Sequence, residues 1–181
     1  MNNTIARKTI LSKVITIFAA IAAAVILPQI FHAIGAVTGT GNAVGSALLP
    51  MHIPVILAGF IGGPMAGLIA GILSPLASFA ISSMPSAAIL PFMIIELGTY
   101  GLMAGLINKT KFNSFTQLVI VQLAGRAARA LAILGAIYLL GSTALTVASI
   151  GEFIAAGIGG IILQWAVIPF AVNKIRGKSE I

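Results

Sequence analysis

Charge and cysteine are what this sequence has least of. Only 7% of its 181 residues are charged, three of them acidic and ten basic, and it contains no cysteine. A soluble domain carries about 25% charged residues because its surface must face water, so a soluble fold is excluded. Without cysteine there are no disulfides, thiolate nucleophiles or cysteine metal sites. No P-loop, HExxH, GxSxG or carboxylate pair occurs either, and we predict no enzyme activity, no metal and no cofactor.

Apolar residues are what the chain has in excess. They make up 59% of it, and the mean hydropathy is +1.14. An exterior this apolar must face lipid, so we predict an all-α integral membrane protein that forms a single domain over residues 1–181 in the bilayer. The net charge of +7 would suggest a polyanion partner in a soluble protein. Here the membrane topology explains the charge better, and we predict no nucleic-acid partner.

Six apolar stretches are separated by glycine, proline, serine or charged residues. We predict six transmembrane helices over residues 10–36, 48–61, 65–81, 87–107, 115–140 and 147–172. The second and third stretches are short for a crossing, which takes about 20 residues. Pro54, Pro64 and Pro75 are also positioned to kink or break them. Four spans with a re-entrant pair is therefore the competing interpretation.

Lysine and arginine concentrate at one set of span ends. One cluster precedes the first span, one separates spans four and five, and one follows span six: Arg7, Lys8 and Lys13; Lys109 and Lys111; Lys174, Arg176 and Lys178. With six spans all three clusters fall on the same side, which the positive-inside rule assigns to the cytoplasm. We predict that both termini are cytoplasmic and that the uncharged loop after the first span faces outside.

Small residues recur at helix-packing spacing in two places. Glycines repeat every four residues in the second and third spans: Gly59, Gly63, Gly67 and Gly71. In lipid this spacing lets two backbones approach closely, and we expect these glycines to pack the spans against one another. The first span carries a flatter and wider alanine patch, which is a candidate docking face for another membrane subunit: Ala19, Ala20, Ala23 and Ala24.

Three charged residues lie well inside the predicted spans, away from their ends, where charge is costly and usually functional. Glu96 is in span four, and Arg126 and Arg129 lie one turn apart in span five. With a rise of about 1.5 Å per residue, Glu96 lies about 13 Å from one surface and Arg126 about 16 Å from the other, so in a core of about 30 Å their depths coincide. We predict a Glu96–Arg126 ion pair, which is either structural or in contact with the ligand. Arg129 has no second acid nearby unless Glu152 folds inward, so it is a candidate to bind a substrate carboxylate or phosphate.

Three further polar residues are candidates for the lining of a binding site. His52 opens the second span near its predicted outer end, Asn42 lies in the outer loop, and Tyr100 lies in span four. Each of them alone is more often a satisfied packing residue than a ligand contact. The complete set of predicted substrate-binding residues is Asn42, His52, Glu96, Tyr100, Arg126 and Arg129.

Two segments and the overall layout resemble a known family. The segments are LPMHIPVILAGFIGGPMAGLIAGILSPL (residues 49–76) and the alanine-rich FAAIAAAVILPQ (residues 18–29). With six spans and both termini inside, the chain resembles the substrate-binding S components of energy-coupling factor (ECF) vitamin transporters over nearly its whole length.

The resemblance implies a function and partners. S components of this family bind one vitamin or precursor from outside and lie in the bacterial cell membrane. They dock through the first span, here Ala19, Ala20, Ala23 and Ala24, onto a transmembrane coupling subunit driven by two cytoplasmic ATPases. Release inside is thought to follow toppling of the S component. The substrate is not fixed by the resemblance.

Several functions stay open at the level of sequence. The leading substrate hypothesis is a small pyridine or pyrimidine such as pyridoxine or hydroxymethylpyrimidine, because Glu96 can accept hydrogen bonds from hydroxyls or a ring nitrogen. Pantothenate is the second, because Arg129 can hold its carboxylate. The alternatives from other classes are a stand-alone proton-coupled carrier and an integral membrane enzyme, each using Glu96. The lack of a second carboxylate or metal cluster weakens the enzyme hypothesis.

Overall fold

The fold is a bundle of helices. The computed structural model describes residues 2–40, 43–143 and 145–178, and no strand occurs among them. The helices are α1 Asn2–Thr38, α2 Ala43–Leu48, α3 His52–Gly62, α4 Pro64–Ser82, α5 Leu90–Ile107, α6 Ser114–Tyr138, α7 Ala148–Ala156 and α8 Ile158–Lys178.

Five segments are long and apolar enough to cross a membrane: Thr9–Thr38, Pro64–Ser82, Leu90–Ile107, Ser114–Tyr138 and Ile158–Gly177. They confirm the prediction of an all-α membrane protein. Large apolar side chains such as Phe18, Leu131 and Phe170 are about 70% exposed, as expected for helices that face lipid. The six-span count stays a prediction, because α3 has 11 residues and extends only about 16 Å at 1.5 Å per residue.

The predicted second span, residues 48–61, consists mainly of α3, and a helix break lies at its start. α2 ends at Leu48 and α3 begins at His52, and Leu49 between them has a positive φ of 47°. Pro50 is the local cause, because a proline disfavours the helical conformation of the residue before it. Pro54 lies in the first turn of α3, and α4 continues through Pro75, so neither of these prolines breaks its helix.

The predicted sixth span, residues 147–172, is also divided. α7 ends at Ala156 and α8 begins at Ile158, with Gly157 between them. The two interruptions lie side by side: a Cβ on Gly157 would come 2.7 Å from Leu49 Cδ1, and one on Gly160 would come 2.6 Å from the Leu48 carbonyl oxygen. Irregular backbone within a membrane protein is tolerated where other protein covers it, and these two breaks cover each other.

A glycine seam joins α3, α4 and α5, and it consists of Gly59, Gly67, Gly71 and Gly101. A Cβ on any of them would overlap the backbone of a neighbouring helix. Gly63, with φ +86°, makes the tight turn from α3 into α4, a conformation that favours glycine. The expectation that the predicted glycines pack the spans internally is confirmed for Gly59, Gly67 and Gly71, whereas Gly63 serves the turn and has nothing within 4 Å of an added Cβ.

The four alanines of the predicted docking patch do not share one environment. Ala20 and Ala24 are buried, Ala20 with Ala58 and Ala70, and Ala24 with the main core around Val55 and Phe60. Ala19 is exposed and Ala23 is partly buried. The four alanines therefore do not form one common outward face. The docking role stays a prediction, and of the four only Ala19 and Ala23 are accessible at the surface for it.

Candidate functional site

The charged residues of α5 and α6 meet inside the bundle, around a carboxylate that is fully buried. Arg129 Nη1 donates to Glu96 Oε2 at 2.6 Å, and the Tyr100 hydroxyl donates to Oε1 at 3.0 Å. Arg126 Nη1 lies 4.0 Å from Oε1. Glu96 and Tyr100 are four residues apart and therefore face the same way on α5. We call these residues, together with His52, the Glu96 site.

The predicted Glu96–Arg126 ion pair is present at 4.0 Å, but Glu96 has a closer partner. Its hydrogen bond, at 2.6 Å, goes to Arg129. The two arginines are one helical turn apart, about 5.4 Å along the axis, and a long arginine side chain reaches over that distance. Counting residues from the span ends therefore finds the right layer of the membrane but cannot choose between neighbours on one face.

A glycine of α6 allows Tyr100 to take its place beside Glu96. A Cβ on Gly125 would overlap carbons of the Tyr100 ring, so the ring lies flush against the α6 backbone. Tyr100 is 1% exposed, and its single strong hydrogen bond goes to the carboxylate. Gly125 thus makes room for the tyrosine, and the next residue of α6, Arg126, reaches the same site.

His52 comes to the site from α3, as the sequence suggested, but it lies much deeper than a loop contact. It is 1% exposed, its Nε2 is 3.9 Å from Glu96 Oε1, and its ring is 5.4 Å from that of Tyr100. Neither ring nitrogen has a hydrogen-bond partner. Because a buried polar group normally has a partner, His52 is available to a ligand or a water molecule.

Phe153 of α7 closes the site on the remaining side. Its ring lies 4.1 Å below the Arg129 guanidinium, and its carbonyl accepts a 3.4 Å hydrogen bond from Arg126. Ile150 and Ile154 complete the α7 wall of a cavity of about 10 Å³, which is room for roughly one water molecule. Sequence reasoning missed Phe153, since a phenylalanine in an apolar stretch carries no distinguishing signal.

The charge within the site is unbalanced. Two guanidinium groups face one carboxylate, and the Nε atoms of Arg126 and Arg129 are buried without a hydrogen-bond partner. Glu152 is exposed, and no ion pair between it and either arginine occurs among the described residues. The arrangement therefore offers free donors and one positive charge in excess, which suits an anion.

Other polar residues lie elsewhere. Asn42 is outside the described residues, so its predicted role is untested. Gln122 links to α8 by accepting from Trp165 Nε1 at 2.7 Å and donating to Gln164 at 2.8 Å. On α1, His32 packs against Gly45 of α2, and its Nδ1 is buried without a partner. The occurrence of a histidine within an apolar span is the signal by which sequence analysis could have identified His32 as a candidate.

These features define a multi-pass α-helical membrane protein that holds an unbalanced charged site inside its bundle. Residues 9–176 match the model of the family described as "ECF transporter, substrate-specific component". The chain belongs to this family, which confirms the resemblance inferred from sequence. It is thus a substrate-binding subunit of an ECF importer, with a small-molecule substrate and the ECF module as its partner. No curated protein and no solved structure gives a significant match.

Proposed function

We propose that the chain binds a small vitamin or vitamin precursor that carries a carboxylate, at the Glu96 site. The excess positive charge is the observation that carries this proposal. A buried guanidinium without its own anion is unfavourable in an apolar environment. A carboxylate from the substrate would neutralise it and satisfy its free N–H groups.

Arg126 is the arginine that contacts the ligand in this proposal. Arg129 is already held by the 2.6 Å bond to Glu96 and by the Phe153 ring. Arg126 has only the 3.4 Å bond to the Phe153 carbonyl and a 4.0 Å approach to Glu96. The sequence-based assignment of the substrate carboxylate to Arg129 is therefore moved one turn, to Arg126.

Entry of a ligand requires the α7 wall to move. Sites for small molecules usually have volumes of about 300–1,000 Å³, far above the 10 Å³ present. α7 is the lightly packed wall, because Ser149 is its one buried residue among Ala148–Ala156. Outward movement of α7 would withdraw Phe153 from both arginines and open the space beside Arg126.

Among the candidate substrates, pantothenate now takes precedence over pyridoxine and hydroxymethylpyrimidine. Both Glu96 oxygens already accept hydrogen bonds, from Arg129 and Tyr100, which leaves the carboxylate less capacity for substrate hydroxyls. The pyridine or pyrimidine alternative keeps one specific observation in its favour. His52 has two unpartnered ring nitrogens and lies against the Tyr100 ring, a surface suited to a polar aromatic ring.

Matched ligand pairs test the proposal directly. Calorimetry on the purified chain would compare pantothenate with pantothenyl alcohol, which differs only in the carboxylate, and would include pyridoxine and hydroxymethylpyrimidine. Native mass spectrometry would identify any ligand that copurifies. Tight binding of the acid and weak binding of the alcohol supports the anion site. Equal binding of both, or preference for the neutral rings, rejects it.

Two arginine variants separate ligand binding from folding. Arg126→Gln should weaken binding of the acid by about 30-fold or more, since loss of a buried charge contact costs about 2–5 kcal/mol. It should change thermal stability little. Arg129→Gln is the matched control and should lower stability as well, because it leaves the Glu96 carboxylate without its closest partner. Equal effects of the two variants on both properties would contradict the assignment.

The proposed transport cycle places ATP hydrolysis on partners. The coupling subunit would dock on the exposed face of α1 that includes Ala19 and Ala23, and two cytoplasmic ATPases would supply energy. The chain alone should bind ligand in liposomes without accumulating it, and the assembled complex should accumulate it with ATP. Proton-driven uptake by the chain alone would favour the carrier alternative, and chemical conversion of the ligand would favour the enzyme alternative.

The proposed topology keeps six crossings, with α2 and α3 together forming a broken second crossing and both termini in the cytoplasm of a bacterial cell. The absence of cysteine allows single-cysteine labelling with an impermeant reagent in intact cells. Cysteines at Ser86 and Thr143 should label from outside, and cysteines at Lys111 and Lys174 should not. A cysteine at Arg7, before the first crossing, should be protected as well. Labelling at Arg7 with the other four positions unchanged, or protection at Arg7 with the other four reversed, would mean that α2 and α3 do not cross together.

A further inference from the structure

A second cavity lies at the opposite end of α5 from the Glu96 site. Its volume is about 280 Å³, against about 10 Å³ at the Glu96 site. It opens where α3 and α5 end and the last turns of α8 pass over them. Its lining residues are Phe60, Ile61, Asn108, Val172, Ile175 and Arg176. We call this space the Arg176 cavity.

Arg176 is held in place entirely by neutral acceptors. Its Nη2 donates to Asn108 Oδ1 at 2.7 Å and to Gln117 Oε1 at 2.6 Å, and its Nη1 donates to Ser114 Oγ at 3.0 Å. Those acceptors are themselves fixed, since Asn108 Nδ2 donates to the Phe60 carbonyl at 2.8 Å. No carboxylate of the described residues pairs with Arg176. The guanidinium is therefore positioned, but its charge is not neutralised there.

The rest of the cavity is apolar and partly open to the surroundings. Phe60 and Val172 are buried, whereas Ile61 and Ile175 are 49% and 41% exposed. Exposed lysines at positions 109, 111 and 174 lie in neighbouring segments, the α5–α6 connection and the end of α8. The cavity thus joins an apolar wall that faces lipid to a cationic rim at the helix ends.

We propose that the Arg176 cavity binds the phosphate head group of an anionic phospholipid, with an acyl chain along Ile61 and Ile175. Basic pockets between transmembrane helices recognise lipid head groups in this way. The volume is just below the range of about 300–1,000 Å³ typical of whole drug-sized ligands, which suits a head group rather than a complete substrate. This proposal does not depend on the ligand of the Glu96 site.

The test measures lipid retained by the purified full-length chain. Native mass spectrometry in detergent micelles containing phosphatidylglycerol or phosphatidylcholine should show one retained phosphatidylglycerol and no stoichiometric phosphatidylcholine. Arg176→Gln should weaken retention by at least about tenfold, as loss of a charge-assisted phosphate contact does. Lys174→Gln removes the same charge two residues away, at the rim and not in the lining, and it should weaken retention much less.

A second variant guards against misfolding of Arg176→Gln. Ile61→Trp fills the cavity while leaving the hydrogen bonds of Arg176 intact, and it should lose the lipid to a similar degree. Inorganic phosphate alone, at millimolar concentration, should raise the melting temperature less than the lipid does. Equal retention of both lipids, equal loss in Lys174→Gln, or full protection by free phosphate would overturn the proposal. So would an Arg176→Gln protein that keeps its lipid but no longer binds the coupling subunit.

Discussion

The glycine seam and the Glu96 site use the same helix, α5, in opposite ways. Along the seam, Gly101 places its backbone directly against Gly67, with no side chain between the helices. At the Glu96 site, long polar side chains fill the space between α5 and α6, and the helices nearby are interrupted at Leu49 and Gly157. Direct backbone packing leaves the seam helices no room to move relative to one another. At the Glu96 site, side chains and broken helices leave room for the helices to shift.

Removal of the buried carboxylate should have the largest effect on stability. Glu96→Ala would leave two partly buried guanidinium groups without their anion, and loss of one partner of a buried ion pair costs about 3–5 kcal/mol. Glu152→Ala removes the same charge from an exposed position and should change the free energy of unfolding little. Thermal and denaturant unfolding in detergent measures both. Similar stabilities of the two variants would mean that Glu96 does not hold the site together.

A methyl group in the seam should have the next largest effect. Gly101→Ala would overlap the Gly67 carbonyl, and overpacking of this kind costs about 1–3 kcal/mol. Gly135→Ala is the matched control in α6, where nothing lies within 4 Å of the added Cβ. It should raise stability by up to about 1 kcal/mol, the difference in helix propensity. Melting curves with the same sign for both variants would remove the distinction between seam and open helix surface.

The hydrogen bond from Gln122 of α6 to Gln164 of α8 should contribute least. Gln164→Leu breaks the 2.8 Å bond from Gln122, and such bonds within membranes are worth about 0.6 kcal/mol on average. Ile162→Leu, on the exposed side of α8, is the control and should be neutral. A loss from Gln164→Leu as large as that from Gly101→Ala would show that α8 is fastened as tightly as the seam.

The sequence allowed prediction of the long helices, because their ends carry local signals. The predicted spans 65–81 and 115–140 agree within two residues at each end with α4, Pro64–Ser82, and α6, Ser114–Tyr138. Proline at the first position of α4 and the Asn113 cap of α6, which accepts from the Thr116 amide at 2.7 Å, are visible in the sequence. Three seam glycines, Gly59, Gly67 and Gly71, were equally accessible because their spacing is a property of the chain itself, whereas Gly101 was not predicted.

The divided second and sixth spans were less accessible. Pro50 carried a signal for the first break, but Gly157 is one of 20 glycines. What distinguishes Gly157 is its contact with Leu49 and Arg126, which exists only in the folded bundle. The choice of Arg129 over Arg126 has the same origin. Sequence placed both arginines in the correct layer, and only the relative shift and rotation of α5 and α6 decides which one reaches Glu96.

An anionic ligand that neutralises the excess charge of the Glu96 site brings the membrane voltage into the binding equilibrium, because its own charge moves through the field. One elementary charge that crosses the whole field gains or loses about 2.3 kcal/mol per 100 mV. On the proposed topology, an anion that descends to Arg126 crosses about half of that field, so an inside-negative potential of about 100 mV would reduce its affinity about sevenfold. A neutral vitamin would be unaffected. In energised vesicles, voltage alone would therefore separate an acidic substrate from an uncharged one.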